Sequence, residues 1–298
     1  FRSNQMMKES MIISVGVNLL NIAGNAVFIN GAFGLPAMGA AGAALASDVS
    51  RLVGVIIIWR MFRKRFPGML SVKFLRPFPI WQLRTLLKIG IPTGGESVSY
   101  NGSQLVLQTF CNMLPIYVVT TKVYANMFAM LSYIFASAIG QAAQVVVAYH
   151  MGAGEPDIVA KKVSYTLRRA VLISTCVSVL LFVFAKPVYS LFTKDANVLA
   201  LCASVMLVEI PLEMGRAVNI VMCRSLQACG DIRFPITICI ISAWSVSVGG
   251  GFLLGIVLGY GLPGIWAAQA ADECLRAVLF LLRWRGGQWR TKRLVAKH

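Results

Sequence analysis

Glu96, Tyr100, Gln104 and Gln108 follow one another at intervals of four residues. On a helix that spacing gathers them into one polar stripe. The stretch that carries them is apolar, and an ionisable group in such a helix is costly enough that it faces a cavity or a partner. A carboxyl placed there can lose and regain a proton, because burial penalises its ionised form. Pro92 and Gly94-Gly95 stand just before Glu96, residue types that loosen a helix and leave carbonyls free to meet an ion. The alternative for Glu96 is a structural carboxylate paired with a neighbouring helix.

Glu209, Glu213 and Arg216 form a second group at i, i+4 and i+7, with Asn219 one turn further. Glu213 precedes Arg216 by three residues, a spacing at which the two neutralise each other. Asn21 and Asn25 are amides that cannot exchange a proton; they either hydrogen-bond helix to helix or line a substrate path. Gln141 and Gln144 share a face and carry the same two readings. Asp272, Glu273 and Arg276 read as a local charge network. Tyr117, Tyr124, Phe128, Tyr133 and Phe135, with Met113, Met127 and Met130, either line a soft cavity or face lipid and core.

Enzyme signatures are missing. His150 and His298 are the two histidines, so neither an HExxH site nor a His-based triad can be assembled. Gly152-Ala153-Gly154-Glu155-Pro156 follows an apolar helix and reads as a turn, not a phosphate loop. The seven cysteines include no CxxC pair and read as small buried hydrophobes rather than a disulfide framework or a metal site. No cofactor or metal is expected.

The elements that must position these residues are membrane helices. The 298 residues are 57% hydrophobic and 13% charged, with a mean hydropathy of +0.72, too apolar for a water-facing body. Eight stretches meet the length of a transmembrane helix, roughly 10–31, 37–60, 88–114, 117–149, 166–189, 197–223, 235–258 and 262–282. The fold class expected is an all-α polytopic membrane protein. The net charge of +17 tests it. Most of the 28 Lys and Arg fall in alternate connections: Arg2 and Lys8, the 60–88 segment, Lys161 to Arg169, Arg224 and Arg233, and the tail from Arg283. The other connections hold Lys122, Lys186 and Lys194, while Arg51, Arg216 and Arg276 fall inside spans. That alternation fits eight spans with both ends cytoplasmic. The basic excess therefore describes topology, and no nucleic-acid partner is expected. The start of the sequence does not read as a signal peptide.

Phe33-Gly34-Leu35-Pro36, followed by an Ala/Gly-rich span, has a counterpart in Tyr260-Gly261-Leu262-Pro263 and the span after it. Phe1-Arg2-Ser3 falls opposite Leu226-Gln227-Ala228 at nearly the same offset. Both copies run the same way, as in transporters built from repeated bundles. A repeat of six spans implies about twelve in all, of which the first four would precede this sequence.

At these residues the sequence resembles the multidrug and toxic compound extrusion (MATE) family of antiporters, of the bacterial NorM- or DinF-like type. Asn21-Ile22-Ala23-Gly24-Asn25 and the stretch 34–46 are similar to the family's fifth and sixth helices. Gly140-Gln141-Ala142-Ala143-Gln144 through Gly154 resembles the end of its eighth. Arg216-Ala217-Val218-Asn219, Gly230-Asp231-Ile232-Arg233-Phe234-Pro235, Gly264-Ile265-Trp266 and Arg283-Trp284 resemble its tenth to twelfth.

The resemblance implies two six-helix lobes around a central cavity, with alternating access driven by H⁺ or Na⁺. Residues 1–62 would be the last two helices of the N-terminal lobe and 63–87 a basic cytoplasmic linker. Residues 88–284 would form the complete C-terminal lobe and 285–298 a basic tail. Cation coupling in the family uses acidic residues on the helices of Glu96 and Glu213, although both stand about a turn earlier here. Glu213 is thus open between coupling and structure. Tyr100, Gln104, Gln108, Asn21, Asn25, Gln141, Arg216 and Asn219 are the candidates for the substrate cavity. The expected protein is a monomeric efflux antiporter of small organic compounds in the bacterial inner membrane. The alternatives are an exporter of flavin-like aromatics, a lipid-linked precursor flippase, for which Arg216 alone is well placed, or an inactive part-transporter.

Overall fold

In lipid a backbone must satisfy its own polar groups, and a helix does so within one segment. The computed structural model follows that rule throughout the residues it describes, which are 6–32, 36–68, 78 and 80–292. Nine α-helices occur among them. They are α1 (Met7–Asn30), α2 (Gly39–Arg65), α3 (Ile80–Asn112), α4 (Ile116–Ala153), α5 (Pro156–Val183), the short α6 (Ala185–Ser190), α7 (Ala196–Ala228), α8 (Arg233–Ser242) and α9 (Gly261–Arg285). The helix of α8 continues through π-helical turns at Ala243–Gly249 and Phe252–Val257, and a 3-10 turn, Gln288–Arg290, follows α9.

Six helical stretches are long and apolar enough to cross a membrane: α1, α2, α4, α5, α7 and the continuous stretch Arg233–Val257. The other two expected spans, α3 and α9, have 33 and 25 residues but less apolar surface. The polar stripe of α3 and the Asp272, Glu273 and Arg276 group of α9 are the cause. The helices also overrun the spans expected from hydropathy. α3 starts at Ile80 instead of 88, and α5 starts at 156 instead of 166, with Pro156 in its first turn, where its missing N–H costs nothing. Helix ends that leave the hydrocarbon carry charge, so Arg168, Arg169 and Arg224 are helical and not in loops. Lys122, expected in an outer connection, is inside α4 and only 5% exposed. Pro92 does not interrupt α3, which is continuous through it.

Residues 1–84 and 85–298 form two compact units. In the first, α1 packs on α2, and Asn21 Nδ2 donates to Ser47 Oγ at 3.1 Å. In the second, α7 is central, with α4, α5 and α9 packed around it. Its first half joins Leu107, Phe128, Tyr189 and Trp266 in one apolar cluster, and its second half joins Val147, Val159, Phe280 and Trp289 in another. α3 meets the other helices mainly through side chains: Trp244 Nε1 donates to Ser99 Oγ at 2.9 Å, and Leu107 is fully buried.

Each of the two hairpins expected to be repeats has a glycine at the start of its second helix, although the repeat pairs Gly261 with Gly34 and not with Gly39. Gly39 and Gly261 open α2 and α9 with positive φ, 53° and 60°. Three residues later a glycine meets the backbone of the preceding helix. A Cβ on Gly42 would lie 2.5 Å from the Phe28 carbonyl oxygen, and one on Gly264 would lie 2.7 Å from that of Leu254. Phe33, Gly34 and Leu35, the Phe1-Arg2-Ser3 segment, most of the linker beyond Gly68 and the tail from Arg293 lie outside the described residues.

Candidate functional site

Helical periodicity puts Glu96, Tyr100 and Gln104 on one side of α3, where they border a cavity of about 830 Å³ within residues 85–298. α7 and α9 supply the facing wall with Glu209, Arg216, Asn219, Trp266, Glu273 and Arg276. Gln269 of α9 reaches across to Gln104 with a 3.4 Å hydrogen bond.

The charges of that wall form one network. Glu213, at 0% exposure, lies behind Arg216 and pairs directly with its guanidinium. Arg216 Nε also lies 3.7 Å from Glu273 Oε1. Arg276 Nη2 meets Asp272 Oδ2 at 2.7 Å and Glu273 Oε1 at 2.9 Å. Asn219 Nδ2 donates to Glu273 Oε2 at 2.7 Å, and Trp266 Nε1 donates to Glu209 Oε2 at 2.6 Å. Glu209 and Glu213 stand one turn apart on α7, and Glu209 Oε1 and Glu213 Oε2 have no hydrogen-bond partner.

Counted together, Glu96, Glu209, Glu213, Asp272 and Glu273 place five carboxyl groups on or just behind the wall. Three guanidiniums, Arg216, Arg224 and Arg276, answer them. Buried charge must be compensated, and around this cavity the carboxyl groups outnumber the guanidiniums. Arg216 is therefore not alone among the arginines at the cavity, as the sequence suggested, but its charge and that of Arg276 are neutralised by carboxylates.

Of the residues singled out in the sequence, Glu96, Tyr100, Gln104, Arg216 and Asn219 come together here. Gln108 instead donates to Asn112 Oδ1 at 2.9 Å, and it is Gln144, not Gln141, that borders the cavity. Gln141 donates to Ser137 Oγ at 3.4 Å. Asn21 and Asn25 belong to the first unit, where Asn25 Nδ2 donates to Asn21 Oδ1 at 3.2 Å. Tyr133 and Met130 border the cavity, whereas Tyr124 and Phe128 pack tilted or edge-on against Tyr189 and Phe192. Glu209, Trp266 and Arg224 also border the cavity, although the sequence had not named them among the cavity candidates. Glu96, Cys223 and Cys239 are metal-ligating side chains that converge among the described residues.

Comparison with known proteins agrees with this architecture. The family model MatE matches residues 92–253. An uncharacterized transporter, YisQ, of Bacillus subtilis is 37% identical over 95% of this chain and 62% of its own length. A probable multidrug resistance protein NorM of Thermotoga maritima is 27% identical over 97% of this chain and 62% of its own length. The chain thus spans about three-fifths of the curated relatives it matches. Among solved structures, a mutant of the Vibrio cholerae MATE transporter VcmN superposes with a TM-score of 0.85 at 17% identity, covering 98% of this chain and 65% of that one. An outward-facing multidrug resistance MATE family transporter gives 0.83 at 19% identity, over 96% and 63%. With the family match extending over more than half of the sequence, and the helical membrane architecture shared with solved members, the chain belongs to the MATE family of transporters.

Proposed function

We propose that the protein is a secondary antiporter that expels small organic, preferentially cationic, compounds against an inward flow of H⁺ or Na⁺. The observation that carries this is the excess of carboxyl groups over guanidiniums around the cavity. A site short of positive charge can be filled either by a coupling ion or by a cationic substrate, and competition between the two is what an exchanger needs. Relatives named as multidrug resistance proteins point the same way. Glu96 is the coupling carboxylate, because it stands on α3 facing the cavity and has no guanidinium bonded to it among the described ion pairs. Between the two ions the Glu209–Glu213 pair favours H⁺, since a protonated carboxyl brings a donor to a place where two buried oxygens have no partner. The acidic balance speaks against a flippase for large anionic head groups. The seat is the bacterial inner membrane, with both ends of the sequence cytoplasmic and the protein working as a monomer.

The test is drug or dye efflux from proteoliposomes holding the full-length protein, driven separately by a pH gradient and by a sodium gradient. Glu96→Gln is expected to abolish gradient-driven export while substrate binding persists. Undiminished export by that variant overturns the assignment of Glu96, and export driven by sodium alone overturns the choice of H⁺.

A further inference from the structure

Beside Glu96 the cavity wall holds two cysteines from different helices, Cys223 of α7 and Cys239 of α8. The carboxylate oxygen and the two sulfurs all lie within 4.8 Å of one another. A tetrahedral Zn²⁺ with metal–sulfur bonds of about 2.3 Å sets its ligands about 3.8 Å apart. The observed group needs to contract by about 1 Å to reach that. Each sulfur already receives an N–H: Gln227 Nε2 donates to Cys223 Sγ at 3.4 Å, and Arg276 Nη1 to Cys239 Sγ at 3.8 Å. Such donors stabilise thiolates and orient metal ligands. All three groups open on the same cavity, which supplies a route of entry and a fourth ligand position for water.

We propose that Glu96, Cys223 and Cys239 form a binding site for a thiophilic divalent cation, Zn²⁺ or Cd²⁺, that ties α3 to α7 and α8. Binding replaces two S–H protons, which leave to solvent, by two metal–thiolate bonds, and no change of oxidation state is involved. Two thiolates and a carboxylate carry three negative charges against two on the ion, and the N–H that Arg276 donates to Cys239 Sγ stabilises the sulfur on which part of the remainder rests. Among the described residues this is the sole convergence of three metal-ligating side chains. The sequence had assigned these cysteines to apolar packing, because residues 223 and 239 meet only in the folded bundle. The site stands independently of the antiport reading, although a bound ion would occupy Glu96 and lock α3.

The probe is Cd²⁺ alone, titrated into the full-length protein in detergent, with thiolate-to-metal charge-transfer absorbance and equilibrium dialysis as readouts. The unmodified protein is expected to take up one Cd²⁺ per chain. Cys223→Ser/Cys239→Ser should weaken binding by roughly 100-fold or more and remove the sulfur band, while Glu96→Gln keeps the band with roughly 10-fold weaker binding. Cys176→Ser, at an exposed position, should bind as the unmodified protein does. In the unmodified protein, one equivalent of Cd²⁺ should protect Cys223 and Cys239 from alkylation, read by peptide mass spectrometry. Equal Cd²⁺ binding by the double variant, or no protection of the two thiols, overturns the site. Neither readout depends on transport.

Discussion

Glu209 and Glu213 are one helical turn apart and both nearly inaccessible, yet their surroundings differ. Glu213 is tied to the Arg216 guanidinium, whereas Glu209 accepts from the indole of Trp266. Removing one partner of a buried ion pair leaves the other charge uncompensated, at a cost of about 3–5 kcal/mol. Glu213→Ala is therefore expected to lower the unfolding temperature sharply, measured by thermal unfolding of the purified protein. Glu209→Gln keeps an acceptor for Trp266, so it should fold normally. Its amide cannot take up or release a proton, so the pH dependence of export should change. Equal destabilisation by the two substitutions would contradict this division of roles.

The elements are fastened at one end of the second unit by a single carboxylate. Asp231 lies in the turn between α7 and α8, its side chain fully buried, with Arg283 Nε of α9 at 2.8 Å and Lys292 also bonded to it. The Arg283 guanidinium covers the Phe234 ring at 4.7 Å, and Trp284 stacks on Trp289 at 4.1 Å. Burial pushes the Asp231 carboxyl up, but the hydrogen bonds and charges of Arg283 and Lys292 outweigh it and leave it below the ordinary carboxylate value. A carboxyl depressed in the folded state stabilises above its unfolded value, and that contribution is lost as pH falls through the folded one. Asp231→Asn should accordingly lower the unfolding temperature at neutral pH. The gap from the unmodified protein should close below about pH 4, and a gap that persists in acid would refute the linkage. This fastening illustrates what sequence reading can reach. The stripe of Glu96, Tyr100 and Gln104 is legible because helical periodicity is local. So is the pairing of Glu213 with Arg216 three residues on. Trp266 on Glu209 and the meeting of Cys223 with Cys239 join different helices, and no spacing announces them. Gln108 and Gln141 share a local pattern with true lining residues, and tertiary packing alone turns them elsewhere.

At the scale of the whole molecule, the number of helices and their apolar character were legible because the bilayer imposes a length and a composition on each. Their ends were not, since a helix does not stop where the hydrocarbon does. α4 has 38 residues, about 57 Å of helix, against a hydrocarbon core of about 30 Å. The turns at its C-terminal end and before α7 must therefore stand clear of the bilayer on opposite sides. Basic residues mark one side: Lys161 and Lys162 early in α5, Arg224 late in α7, Arg233 opening α8, and Arg283 and Arg285 closing α9. The other side of this unit holds Lys186 and Lys194, while Lys122 is buried within α4. By the positive-inside rule the basic face is the expected cytoplasmic one, so the proposed orientation has Glu155 inside and Lys194 outside. A membrane-impermeant maleimide applied to intact cells should label Lys194→Cys above the background of the native cysteines. Glu155→Cys should react only after the membrane is opened. The reverse pattern would overturn that orientation, and with it the direction of the proposed exchange.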